Sequence, residues 1–417
     1  MAELLSVHDA QERIISAFET LPFVFVPLRE SCNRVLAQDI RADTDLPPFD
    51  NSSMDGFAVR SADVSQASPV HPIILSVIED IPAGASKPTS LQPGQAARIM
   101  TGAPLPGGAD AVIPIEDTDH SAAENPAIFP FLVKISGPVK PGTFIRPHGQ
   151  DIQRDQVVLH SGHEIGPAEV GLLASLGISQ VPVYRKPKIA LLSTGDELVS
   201  PDQPLAPGKI RDSNSYAIAA LVEKYGGEVL AFGTAPDQPE IIRQRLQSAV
   251  DQGADLILTT AGVSVGAFDY VKPVIQENGS LTFWRVDMRP GKPLAFGSYQ
   301  GIPLLGLPGN PVSAYVGFLV FVLPAIHKMA GILQGPRQGI KAILAHPLES
   351  DGRESYLRAV LKIEAGQITA ALTGHQGSGN MYSLVQANAL LIVPSGVKSL
   401  PIGAEVFVWL LTDELTL

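Results

Sequence analysis

A chain of 417 residues is too long for one ordinary hydrophobic core, and 45% hydrophobic with 17% charged residues excludes a disordered or fibrous protein. The formal net charge of −12 repels phosphate backbones, which argues against nucleic acid as a partner. A small anion needs a few gathered Lys or Arg, or a bound cation that reverses the local sign.

The N-terminus lacks a basic start and an apolar signal core, and reads as an amphipathic helix capped by Ser6, with Val7, Ala10, Ile14, Ala17 and Phe18 on one face. Cys32, the only cysteine, permits no intrachain disulfide or Cys-based zinc cluster; it reads as a small buried hydrophobe in a reducing, cytoplasmic compartment. From about Ala42 to Gly142, runs such as Ile73–Ile78, Ala111–Ile115 and Phe131–Ile135 alternate with Pro and Gly, as in a separate β-rich lobe. A helix is expected from Pro167 to Gly177.

Between Lys188 and Ala330 the texture becomes regular. The apolar runs Ile189–Leu192, Val229–Phe232, Leu256–Leu258 and Leu304–Leu307 suit strands covered on both faces, and helices beginning near Asn214 and Pro239 stand between them. This pattern predicts a doubly wound, mainly parallel α/β domain. The apolar run Val316–Leu323 is shorter than the roughly 18–20 residues that cross a bilayer and reads as a core helix, with no membrane role. Short runs after Gly335 (Ile340–Leu344, Tyr356–Ile363, Leu390–Val393, Val406–Leu411) suit a small C-terminal β domain.

The polar clusters fall just after the α/β strands: Ser193-Thr194-Gly195-Asp196-Glu197, Gly233 to Asp237, Thr259 to Asp269, and Pro308-Gly309-Asn310-Pro311. In an open parallel sheet such loops share the carboxyl edge, where ligands bind. Glu197, Asp237 and Asp269 are candidate Mg²⁺ ligands beside a phosphate; capping of the next helix is the alternative role for each acid. The glycines around Ser264 leave backbone N–H groups for an anion, and Asn310 opens a helix whose positive end favours negative charge. Arg285, Arg289 and Lys292 form a candidate tetrahedral-oxyanion site, with a solvated loop as the alternative. No HExxH, GxSxG or GxxxxGK[ST] pattern occurs.

Seven ordered segments carry a family resemblance over nearly the whole chain: Pro48 to Arg60 (PFDNSSMDGFAVR), Arg98 to Ala103 (RIMTGA), Gly149 to Ile152 (GQDI), Ser193 to Glu197 (STGDE), Gly262 to Gly266 with Asp269, Arg289 to Pro293 (RPGKP), and Leu307 to Ser313 (LPGNPVS). The chain resembles the molybdopterin molybdenumtransferases, which include the C-terminal domain of gephyrin. The resemblance implies four parts: a split N-terminal domain at 1–45 and 143–184, a β-rich insert at 46–142, an α/β domain at 185–332, and a β-barrel-like domain at 333–417.

It further implies a homodimer with the active site between subunits, where Asp55, Thr101 and Asp151 complete the site in trans. The implied reaction joins adenylylated molybdopterin with molybdate and releases AMP, using Mg²⁺ on Glu197, Asp237 and Asp269. Asp269 is then the acid whose loss most damages turnover. Ser193, Thr194, Asp196, Gly262, Ser264 and Asn310 are implied to bind the substrate, and Arg285, Arg289, Lys292, Ser313, Arg353 and Ser378 to hold molybdate. Two rival functions are adenylyl transfer from ATP to molybdopterin and a non-catalytic, gephyrin-like scaffold.

Overall fold

The computed structural model describes residues 3–120, 128–260, 268–332, 339–364 and 366–412. They form two compact units: one of residues 1–37, 162–170 and 180–417, the other of residues 38–161 and 171–179. The chain starts with strand β1 (Glu3–Leu5) ahead of helix α1 (Val7–Ser16), so the N-terminal segment is not helical throughout. Ser6 caps α1 as expected, its hydroxyl accepting the Asp9 N–H. Cys32 is half-buried, not fully enclosed.

The second unit holds a five-stranded sheet of β2 (Gly56–Val59), β3 (Ile73–Ile81), β4 (Gln95–Ile99), β5 (Ala111–Pro114) and β6 (Phe131–Ile135), in the order β5-β2-β4-β3-β6. Phe57, Val59, Leu75, Val77, Val133 and Ile135 fill one core, and Ala58, Ala97, Ile99 and Val112 belong to another; the alternation of strand side chains produces this division.

The first unit contains the doubly wound sheet. Its strands β7 (Lys188–Thr194), β8 (Glu228–Ala235), β9 (Leu256–Thr260), β10 (Gly279–Val286), β11 (Pro293–Tyr299) and β12 (Ile302–Leu307) run in the order β1-β10-β11-β12-β9-β7-β8. The four runs expected from the sequence are adjacent and parallel. The correction lies on the other side of β12: β11 pairs antiparallel with both β12 and β10, and β1 adds in parallel at the edge. Part of the segment read as a basic loop is therefore strand, because residues 284–286 end β10 and Pro293 begins β11. Two antiparallel steps leave β10 parallel to β9, so residues 287–292 still turn at the carboxyl edge.

Helix α2 (Pro167–Ser175) forms where a helix was expected, and helices α3 (Asn214–Lys224), α4 (Pro239–Asp251) and α5 (Phe268–Glu277) cover the faces of the sheet with the stripes Ile218–Leu221–Val222 and Ile242–Leu246–Ala249 and with Val271–Val274–Ile275. The apolar helix is longer than its sequence run suggests. It extends over the 19 residues Pro311–Met329, with 78% of its most apolar window buried among the other elements. Its turn Phe318–Val322 widens to π geometry just before Pro324, which has no N–H to donate. A transmembrane length is here spent on a core.

The C-terminal residues close a five-stranded ring from β13 (Ile340–Leu344), β14 (Glu354–Glu364), β15 (Gln367–Leu372), β16 (Ala389–Val393) and β17 (Glu405–Leu410). The ring order is β14-β15-β13-β17-β16, with β16 returning to β14. Short strand Met288–Arg289 pairs with Glu354–Ser355 and ties the carboxyl-edge turn to this barrel.

Candidate functional site

The loop after β7 is drawn over the end of β8 by the Gly195 N–H, which donates to Ala235 O at 3.2 Å. Gly195 has φ +153°, and a β-carbon there would lie 2.7 Å from Glu197 Oε2, so only glycine lets the Glu197 carboxylate fold back. The Asp237 N–H donates to Asp196 Oδ1 at 3.1 Å. Asp196, Glu197 and Asp237 thus crowd at the ends of two adjacent strands.

Asp237 Oδ1 is buried and has no hydrogen-bond partner. Burial raises the Asp237 pKa above its ordinary value, and the charges of Asp196 and Glu197 push it further the same way. A positive charge beside Asp237 would satisfy the orphaned oxygen and offset the repulsion. Among the described residues, no group of three or more His, Cys, Asp or Glu is placed to hold a metal ion. Asp269 lies in the first turn of α5, and its side chain is outside the described residues, as are Gly262 and Ser264.

Ser193 and Thr194 are buried at the end of β7, and the Ser193 hydroxyl pairs with that of Thr260 at 2.9 Å. They join adjacent strands beneath the crevice. Asn310 caps the helix opened by Pro311 without a side-chain cap bond, so its amide is not spent on the helix end.

The cations converge where the barrel meets the carboxyl-edge turn. Arg353 Nη1 donates to Met288 O at 3.2 Å, and Arg353 Nε donates to Asp351 Oδ2 at 3.1 Å. Arg289 reaches the same carboxylate at 3.9 Å. Arg353, foremost by hydrogen bonding, holds the Asp351 pKa below the usual carboxylate range. A β-carbon on Gly291 would stand 3.6 Å from Ser313 O, and the Val312 N–H donates to Ser378 O at 3.0 Å. Arg289, Ser313, Arg353 and Ser378 are therefore near neighbours. Lys292 follows in the same turn, its carbonyl accepting the Val286 N–H at 2.8 Å, and Arg285 is exposed on β10.

Arg358 and Asp351 were not singled out from sequence. Arg358 is fully buried on the outer face of β14, opposite the barrel-core residues Leu357 and Ala359, where its guanidinium donates to the carbonyls of His375, Gln376 and Gly377 and to Ser383 Oγ. Burial lowers its pKa, as does repulsion from Arg289. The outward-pointing alternate positions of a strand gave no sign of this. The one available signal was the Gly-rich stretch Gly374–Gly379, whose carbonyls need an organising donor.

In the other unit, Asp55 Oδ1 accepts the Thr101 N–H at 2.7 Å and the Thr101 hydroxyl at 2.8 Å. Asp151 pairs with Arg146 at 2.6 Å. Backbone and side-chain hydrogen bonds from Thr101 lower the Asp55 pKa, so this carboxylate is ionised at neutral pH.

Residues 5–177 match the MoeA N-terminal region (domain I and II), residues 190–328 a probable molybdopterin binding domain, and residues 341–411 the MoeA C-terminal region (domain IV). The chain is 39% identical to molybdopterin molybdenumtransferase 2 of Mycobacterium tuberculosis over 98% of its own length and 100% of the relative. It is 40% identical to the molybdopterin molybdenumtransferase of Nostoc sp., covering 92% of this chain and 87% of that one. The crystal structure of the molybdopterin biosynthesis moea protein from Pyrococcus horikosii superposes with a TM-score of 0.81 at 33% identity, covering 99% of this chain and 100% of the other. With similarity at this level along its full length, the chain belongs to the molybdopterin molybdenumtransferase family.

Proposed function

We propose that this protein inserts molybdenum from molybdate into adenylylated molybdopterin and releases AMP, in a reducing, cytoplasmic compartment. The observation that carries the reading is the pairing of opposite fields on one sheet edge. Asp237 with its orphaned oxygen stands at the β8 end, and the Arg289–Arg353 cluster stands at the β10–β11 turn. An acidic knot suits a cation-bridged phosphoanhydride, and a guanidinium pair suits a tetrahedral oxyanion.

Glu197, Asp237 and Asp269 would hold Mg²⁺, which when bound supplies charge neutralisation of the linked phosphates. Arg289, Lys292 and Arg353 fix molybdate by charge, and the neighbouring Ser313 and Ser378 position it beside the dithiolene. The two sulfurs, entering as thiols, replace two oxygens of molybdate, which leave as water with the thiol protons and two more from solvent, and attack of a water on the phosphoanhydride releases AMP and leaves the pterin phosphate. Asp55, Thr101 and Asp151 belong to this reading as contributors from a second subunit of a homodimer.

Reconstitution with adenylylated molybdopterin, Mg²⁺ and molybdate tests it, scoring AMP and metal-loaded product together. Molybdate-dependent AMP release is expected. Consumption of ATP with molybdopterin in the absence of molybdate would instead establish adenylyl transfer.

A further inference from the structure

The oxygen that stands between the two arginines of the cationic cluster belongs to the protein itself. Asp351 Oδ2 accepts from Arg353 Nε at 3.1 Å and also from Arg353 Nη2, and Arg289 Nη1 lies 3.9 Å from the same carboxylate atom. We propose that Asp351 is an internal placeholder for the tetrahedral oxyanion, a carboxylate that occupies the guanidinium edge until molybdate displaces it. The placeholder rests on the assignment of Arg289 and Arg353 to molybdate, and it adds what fills that seat and what sets its affinity.

Donor geometry makes displacement necessary. The Nε and Nη2 edge of a guanidinium takes a carboxylate or an oxyanion through two donors, and on Arg353 that edge is spent on Asp351. Nη1 is engaged as well, donating to Met288 O at 3.2 Å. An oxyanion that takes the same edge must push the carboxylate off it, and one seated alongside would face a like charge at contact range.

Backbone pairing decides which group moves. Arg289 belongs to the short strand that pairs with Glu354–Ser355, and Arg353 directly precedes that pairing, so both arginines leave the backbone beside one ladder. Met288 O holds the Arg353 guanidinium from a side that Asp351 does not touch. Asp351 lies in the turn before β14, where Gly352 has φ +89°. Apart from the two arginine side chains, its carboxylate accepts the Arg353 N–H, through Oδ1 at 3.1 Å. Its side chain is 39% exposed, and ion pairs so open to water are weak enough to exchange. Two arginines and Lys292 reward the second charge of a dianion, which a single carboxylate lacks. Every anion pays the same displacement, so weakly held monoanions are kept off the turn while molybdate enters.

Calorimetric titration of the full chain with sodium molybdate and with perrhenate, a tetrahedral monoanion, tests the placeholder. Asp351→Asn keeps an acceptor for the Arg353 N–H and removes the charge. It is expected to tighten both anions by a similar factor, about three- to tenfold. The gain should shrink in an Arg353→Ala background, which separates displacement at the guanidinium from the general field of an acidic chain. Weaker molybdate binding by Asp351→Asn would mean that the carboxylate orients Arg353, unchanged binding that it stands aside, and a gain confined to molybdate that it repels without leaving; each overturns the placeholder. If Arg353→Ala weakens molybdate while Asp351→Asn fails to strengthen it, only the placeholder falls. If Arg353→Ala binds molybdate like the parent, the assignment of these arginines to the oxyanion falls, and the placeholder with it.

Discussion

Thr101 gives both its backbone N–H and its hydroxyl to one oxygen of Asp55, at 2.7 and 2.8 Å, across 46 positions of sequence. The pair pins the turn after β4 to the end of the PFDNSSMD segment and leaves the second Asp55 oxygen available. Its pH sign follows from the lowered pKa. The contribution to stability is present above the ordinary carboxylate value and lost as pH falls through the lower folded value. Urea unfolding across pH 3–7 should show this acid loss in the parent and less of it in Asp55→Asn. Thr101→Val, which keeps the N–H donor, should cost about 0.5–1.5 kcal/mol.

Asp237→Asn should raise the melting temperature of the metal-free protein, since it removes a carboxylate that burial and two neighbouring acids disfavour. In the parent, the raised pKa makes metal-free stability fall as pH climbs from the unfolded to the folded value. Proton and cation compete for the same group, so Mg²⁺ affinity should rise with pH over that window. At tenfold saturation Mg²⁺ should add about 1.4 kcal/mol to the parent and little to the variant, as read by thermal melts with and without the ion.

Arg353→Ala should raise the KM for molybdate about tenfold, with a smaller change in kcat at saturation, because the charged donor acts in binding. An unchanged KM would remove Arg353 from the oxyanion site and leave it as a brace for Met288 and Asp351.

Arg358→Met leaves carbonyls of His375, Gln376 and Gly377 without their buried donor. A loss of about 2–4 kcal/mol is expected in denaturant unfolding. Hydrogen exchange should quicken first in residues 374–380, where Ser378 sits. Uniform quickening across the barrel would mean that Arg358 supports the ring and not this loop in particular.

The sequence by itself placed the four parallel strands and the loops at their ends, because continuous apolar runs punctuated by glycine are local signals of buried strands. It also carried the ordered motifs of the family. It did not reveal the β10–β11 pairing, since an apolar strand reads alike in either direction and direction is set by its neighbours. Nor did it show that Asp351 stands between two arginines, that Arg358 is enclosed, or that Asp237 is left with an orphaned oxygen. Burial and charge pairing depend on residues tens to hundreds of positions away, so only the closed barrel and the assembled sheet edge determine them.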